Sequence, residues 1–72
     1  MDVSGKKLEI IKNRFPSGSR VRLIYMDDPH APPVGSLGTV VCVDDVGTVH
    51  VDWDVGSSLG VVYGEDFIAI EE

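Results

Sequence analysis

Residues 35–63, GSLGTVVCVDDVGTVHVDWDVGSSLGVVY, decide the fold of this chain. The stretch contains three short runs rich in β-branched residues, separated by two turn sequences at residues 44–47 (DDVG) and 54–57 (DVGS). Runs of this kind with Asp and Gly between them are typical of antiparallel strands joined by tight turns. The stretch therefore predicts a three-stranded antiparallel meander, but it indicates little about activity.

Two further strands are predicted outside the meander. Residues 19–25 alternate, with Val21, Leu23 and Tyr25 on one face, and residues 67–70 form a short apolar run. The strands of the meander are predicted at residues 39–43, 48–53 and 58–62. Residues 27–33 (DDPHAPP) are predicted as a long, stiff loop, because three prolines remove backbone donors and fix the backbone. Five short strands with a long loop after the first match a small, mainly β, SH3-like barrel.

A short helix is predicted ahead of the strands, at residues 4–14. Ser4 suits the N-cap position, and Pro16 disfavours helical geometry at the residue before it. The apolar stripe of this helix is formed by Leu8, Ile11 and Phe15. A helix of this length is not stable alone, so it must pack on the strands or on another chain. The chain is thus predicted to be one domain, with the helix in residues 1–15 and the SH3-like barrel in residues 16–72.

Charge is segregated along the 72 residues, whose formal net charge is −6. All six basic residues lie between positions 6 and 22, whereas ten of the twelve acidic residues follow position 26. A net acidic surface repels phosphate backbones, so nucleic-acid binding is not expected. The basic segment either docks on an acidic surface, its own or a neighbour's, or forms an ordinary solvated helix face. We also expect no signal peptide, no membrane span and a cytosolic location.

The residue types that carry catalysis or bind metals do not form a recognisable motif. Asp27, Asp28 and His30 share a loop, but a calcium loop needs more oxygen ligands and a glycine at its sharp turn. We interpret this loop as an Asp-Pro turn whose carboxylates cap loop amides. Cys42 is the only cysteine and is predicted as a small apolar strand residue. No serine or cysteine triad and no phosphate-binding loop can be assigned, so neither an enzyme nor a cofactor or metal is predicted.

The better candidates are residues that would contact a partner. Aromatic side chains near strand ends, beside a proline-rich loop, often form a ligand groove, although these could also belong to the core. The candidates are the aromatics Tyr25, Trp53 and Tyr63 and the acidic residues Asp44, Asp45, Asp52 and Asp54. A further set has no obvious core position and favours a contact surface in a homo-oligomer, namely Ile24, Val46, Val55 and Val62.

Several short segments together resemble a known family. They are YMDDP at 25–29, PPVG at 32–35, GTV at 38–40, VDDVG at 43–47, VDWD at 51–54 and GSSL at 56–59. The combination resembles domain-of-unknown-function family 4314 over residues 15–70. The resemblance implies a small bacterial protein of phage or mobile-element origin and supplies no activity. Val55 departs from the expected pattern, because a polar residue such as Asn suits a turn position with φ > 0 better than a β-branched one.

These observations leave three hypotheses for function. The first is a non-enzymatic module that binds a protein partner through its acidic face, as an inhibitor or accessory factor. The second is an anti-defence sponge, a homo-oligomer that sequesters a nucleotide-type signal, with Arg20, Arg22 or the lysines holding phosphates and the aromatic residues stacking on the base. The third is a structural or packaging accessory protein.

Overall fold

The structure, a computed structural model, describes residues 5–71. One helix, α1 (Gly5–Arg14), precedes five strands. The strands are β1 (Arg20–Tyr25), β2 (Leu37–Val43), β3 (Thr48–Trp53), β4 (Gly60–Val62) and β5 (Phe67–Ile70). They form one antiparallel sheet in the order β4-β3-β2-β1-β5. The predicted mainly β class and the short helix are confirmed, while the N-cap predicted at Ser4 lies outside the described residues.

Three strand boundaries differ from the prediction. β1 begins at Arg20, one residue later than predicted. β2 begins at Leu37, ahead of the predicted residue 39, because Leu37 and Gly38 pair with β1 opposite Arg22 and Val21. β4 begins at Gly60 rather than at residue 58, since its ladder with β3 starts at Gly60, opposite His50.

The sheet is open, so the predicted closure into a barrel is not confirmed. β4 and β5 are its two edge strands. A tight turn, residues 62–66, connects them: the N–H groups of Glu65 and Asp66 donate to the Val62 carbonyl oxygen at 3.0 and 2.9 Å. The Asp66 carboxylate in turn accepts the Val62 N–H at 3.0 Å. This turn holds the two edges near each other without joining them in a ladder.

The core lies between one face of the sheet and α1. Its buried apolar residues are Ile11, Phe15, Val21, Leu23, Val40, Val49, Val51, Trp53 and Val61. Because Ile11 and Phe15 belong to this cluster, the helix packs on the sheet of its own chain, one of the two predicted alternatives. Trp53 is only 1% exposed, and its indole N–H donates to the Leu59 carbonyl oxygen at 3.1 Å. The apolar surface of the indole is therefore shielded from water, and its one polar group is hydrogen-bonded.

Two glycines are required by the local geometry. A Cβ atom at Gly38 would lie 2.6 Å from Val51 Cγ1 and 2.9 Å from Trp53 Cε3, so only glycine lets β2 approach the core this closely. Gly56 adopts φ of 100°, and none of the described non-glycine residues has positive φ. The concern about Val55 was therefore wrong, since Gly56 takes the left-handed position of that turn and Val55 does not.

Candidate partner-binding surface

The structure separates the three aromatic candidates. Trp53 lies in the core, so the interpretation of this residue as part of an exposed groove is corrected. Tyr25 is 50% exposed and Tyr63 is 36% exposed. Tyr25 was placed on the face of Val21 and Leu23, but the β1–β5 register shifts between Leu23 and Tyr25, and this bulge turns Tyr25 away from the core.

An aromatic pair arises from the same bulge. Tyr25 stands directly opposite Phe67 in the β1–β5 ladder, and Phe67 is 51% exposed. Aromatic residues at facing positions of an antiparallel pair are close enough to contact each other. The sequence analysis missed Phe67, because an apolar run of four residues carries no alternation that would assign an inward or outward face.

A cleft opens between the two edge strands. This seam cleft has a volume of about 250 Å³. Its lining includes three core residues, Phe15, Val49 and Val61, together with the more exposed aromatics Tyr63 and Phe67. Arg14, Gly64, Asp66 and Ile68 complete the lining. Because β4 and β5 do not pair, the apolar core is approached from solvent here.

An acidic pocket lies beside the seam cleft. It is lined by Tyr25, Asp27, Asp28, Val62, Glu65 and Asp66. Asp66 lines both depressions, so they are neighbours, and together we call them the seam surface. Two structural features bring these carboxylates together: the proline-rich loop after β1 supplies two of them, and the 62–66 turn supplies the others.

Two carboxylates of the acidic pocket serve the fold and two do not. Asp28 accepts the His30 N–H at 2.7 Å, as the predicted capping of loop amides requires, and Asp66 accepts the Val62 N–H. The carboxylates of Asp27 and Glu65 make no hydrogen bond or ion pair within residues 5–71. These two exposed charges are left without compensation, which makes them available to a cationic group.

The predicted acidic candidates do not form one face. Asp44 is engaged in its own hairpin: it accepts the Val46 and Thr48 N–H groups at 3.1 and 2.9 Å, and its other oxygen lies 2.8 Å from His50 Nε2. The His50 contact, followed by the Thr48 and Val46 bonds, holds the pKa of Asp44 below its ordinary value. Asp45 is exposed in the same turn and makes no ion pair in the described part of the chain.

The remaining acidic candidates lie elsewhere. Asp54 receives two hydrogen bonds from the Arg20 guanidinium, at 2.9 and 2.6 Å, which hold the pKa of this carboxyl below its ordinary value. Asp52 is exposed and lines a shallow depression with Val41 and Cys42, away from the seam surface. None of the four predicted acidic residues lines the seam cleft or the acidic pocket.

Both predicted phosphate-binding arginines are held in ion pairs. Arg20 binds Asp54, and Arg22 binds the Glu71 carboxylate with two hydrogen bonds of 3.0 and 2.8 Å. Each carboxylate raises the pKa of its arginine, chiefly through these hydrogen bonds. Paired, fork-shaped contacts of this kind use the donors that a phosphate would need. A nucleotide would have to displace a carboxylate from each arginine.

Neither metal binding nor nucleophilic chemistry gains support from the arrangement of side chains. No three His, Cys, Asp or Glu residues among residues 5–71 are grouped as metal ligands. Cys42 lies in β2 as predicted, but it is exposed, because the β2–β3 register shifts between Val40 and Cys42 and turns the thiol outward. It stands opposite His50 in the ladder, but no hydrogen bond joins the two side chains in the part of the chain described.

Comparison with known proteins identifies a family without an assigned activity. No helix in the described residues is long and apolar enough to cross a membrane. No curated protein and no solved structure matches the sequence. The family profile described as Domain of unknown function (DUF4314) matches residues 4–70, which is nearly the whole sequence. The chain therefore belongs to the family Domain of unknown function (DUF4314).

Proposed function

We propose that this protein is a non-enzymatic binding module that holds a protein partner at the seam surface, as an inhibitor or accessory factor. The observation that carries the proposal is the seam cleft, where the exposed rings of Tyr63 and Phe67 line a depression together with the buried core residues Val49 and Val61. A small domain needs nearly all of its apolar side chains for its own core. Exposed aromatic residues grouped around a cleft are typical of a surface that a partner covers.

The proposal includes a finer description of the fold, a partly open SH3-like barrel. Its support is the position of the two edge strands, which the 62–66 turn keeps close together around one core. The gap between these edges is where the seam cleft lies. A phage or mobile-element origin and a cytosolic location remain part of the proposal, and they rest on the family resemblance and the sequence.

The burial and ion pairing of individual side chains favour the protein-partner hypothesis over the nucleotide sponge. The sponge hypothesis assigned base stacking to Trp53 and the two tyrosines and phosphate binding to Arg20, Arg22 or the lysines, yet Trp53 is buried and both arginines are ion-paired. A homo-oligomer remains an alternative occupant, because Ile24, Val46, Val55 and Val62 are exposed as expected. A packaging role has no residue that specifically favours it.

Site-specific photocrosslinking in a bacterial lysate tests the proposal. The photoreactive residue benzoylphenylalanine replaces Phe67 in one variant and Val41, which is 56% exposed on the outer face of β2, in the control. We expect one crosslinked protein of defined mass from position 67 and none from position 41. Crosslinks of equal yield at both positions would contradict the assigned surface. Crosslinking of the chain to itself would replace the protein partner with a second copy.

A further inference from the structure

We propose that the partner binds through an extended segment that places an apolar side chain in the seam cleft and a lysine or arginine side chain in the acidic pocket. This inference rests on the proposed function and adds the chemistry of the bound segment. It depends on the size of the cleft, on the charges around the acidic pocket and on the contact between the two.

The size of the seam cleft suits a single side chain. Its volume of about 250 Å³ is below the range of roughly 300–1,000 Å³ typical of pockets for drug-sized ligands. The apolar surface available for contact belongs mainly to the exposed rings of Tyr63 and Phe67, since the other apolar lining residues, Phe15, Val49 and Val61, are already buried in the core. A branched aliphatic or aromatic side chain would remove this surface from water, which is the main favourable term in association.

The charges select a cation for the second position. Across the seam cleft and the acidic pocket there are four carboxylates, Asp27, Asp28, Glu65 and Asp66, and a single cation, Arg14. The carboxylates of Asp27 and Glu65 make no hydrogen bond or ion pair in the described residues, so their charge is not neutralised locally. The half-exposed ring of Tyr25 lies in the same pocket and offers a π face to an ammonium or guanidinium group.

The contact between the depressions limits the length of the segment. Asp66 lines both depressions, so one short peptide reaches both. In an extended peptide, alternate side chains point to the same side and are roughly 7 Å apart. An apolar residue and a basic residue two positions apart therefore present both groups to the seam surface. The same carboxylates repel phosphate, which disfavours a nucleotide or a nucleic acid as the occupant.

Selection from a random peptide library tests the inference directly. The immobilised protein is panned against a random twelve-residue peptide library, and affinities of the enriched synthetic peptides are measured by fluorescence polarisation. We expect enrichment of an apolar residue followed or preceded at two positions by lysine or arginine. Affinity should fall when ionic strength rises, because exposed charge pairs are screened by salt.

Two matched double variants identify the charges responsible. Asp27→Asn with Glu65→Gln removes two negative charges from the acidic pocket, and neither side chain makes a hydrogen bond in the described chain. Asp45→Asn with Asp52→Asn removes the same charge at two exposed sites outside the seam surface. We expect the first pair to weaken binding by about fivefold or more and the second by less than about twofold.

The outcomes distinguish failure of this inference from failure of the proposed function. Enrichment of peptides that lack a basic residue would overturn the inference if both double variants bind them equally. If Phe67→Ala does not bind these peptides, the proposed binding module is retained. Peptides bound equally by Phe67→Ala occupy another surface and would overturn the proposed site as well. No enrichment at all would overturn both. Circular dichroism of each variant shows whether the fold is retained.

Discussion

The two ends of β3 differ in how completely other residues of the chain cover the apolar side chains around them. At one end Trp53 is 1% exposed, its indole N–H is bound to Leu59, and Gly38 lets β2 close over it. At the other end Val49 and Val61 are equally buried, but they line a cleft that also contains the exposed rings of Tyr63 and Phe67. The closed end needs nothing outside the chain. The open end leaves apolar surface and uncompensated charge, so it is the end at which a partner adds most.

Removing the indole should produce the largest effect. Trp53→Ala is expected to lower the free energy of unfolding by about 3–5 kcal/mol, because it deletes a fully buried aromatic ring and leaves a cavity. A domain of this size has little stability to spare, so the variant should be largely unfolded at room temperature. Urea unfolding followed by circular dichroism measures the change. A variant with an unchanged midpoint would show that the indole does not close the core.

Adding one methyl group at the closed end should have the next largest effect. Gly38→Ala brings a Cβ atom to 2.6 Å from Val51 Cγ1 and 2.9 Å from Trp53 Cε3, so β2 or the indole must shift. Overpacking of this kind is expected to cost about 1–3 kcal/mol of unfolding free energy. Gly5→Ala is the matched control, since nothing lies within 4 Å of its added Cβ atom. Equal urea midpoints for the two variants would contradict the close packing.

The same test at the open end should give a smaller loss of stability. Phe67 is 51% exposed, so Phe67→Ala is expected to lower the free energy of unfolding by about 1 kcal/mol. Crosslinking and peptide binding at the seam should nevertheless be lost. A loss of stability as large as that of Trp53→Ala would show that the open end is as much a part of the core as the closed end.

The smallest expected effect is a difference between ion-paired and unpaired carboxylates in how the free energy of unfolding changes with pH. The pKa of Asp54 is held below its ordinary value of 3.8 by its hydrogen bonds with Arg20. Because the folded-state pKa is the lower one, this pair adds stability above pH 3.8 that is lost as pH falls through the folded-state pKa. The effect is small and screened by salt, since both side chains are about half exposed.

The variants Asp54→Asn and Asp27→Asn separate these two classes of carboxylate. Urea midpoints at neutral pH and well below pH 3.8 should show a deficit for Asp54→Asn that is present at neutral pH and disappears in acid. Asp27→Asn should match the parent protein at both pH values. A neutral-pH deficit for Asp27→Asn of the same size would mean that this carboxylate does stabilise the fold.

The sequence predicted the elements of the fold better than the binding surface. Alternation and turn residues located β3 and β5 at their observed bounds, and the helix ended before Pro16 as expected. Closure of the sheet depends on how closely β4 and β5 approach each other, and the alternation of apolar residues in the sequence carries no information about that distance. Bulges also mattered: a strict two-residue period places Tyr25 on the face of Val21 and Leu23, whereas the register shift before Tyr25 turns it outward.

The contacts of the acidic candidates were less predictable. Asp44 bonds to its own hairpin, and Asp54 pairs with an arginine 34 positions away. The acidic pocket instead combines a loop after β1 with the turn before β5. Residues so far apart in sequence become neighbours only through the β1–β5 ladder, so composition alone gave no signal for Asp27 and Glu65 as one site.

The position of β1 between β2 and β5 has a consequence for folding kinetics. The β2, β3 and β4 strands follow one another through short connections, whereas Arg22 and Glu71 are 49 positions apart. Closing so large a loop costs conformational entropy before any contact rewards it, and non-local pairing slows folding. We expect the meander to form first and β5 to dock last. The acidic pocket combines residues after β1 with residues between β4 and β5. It would then exist only in the fully folded molecule.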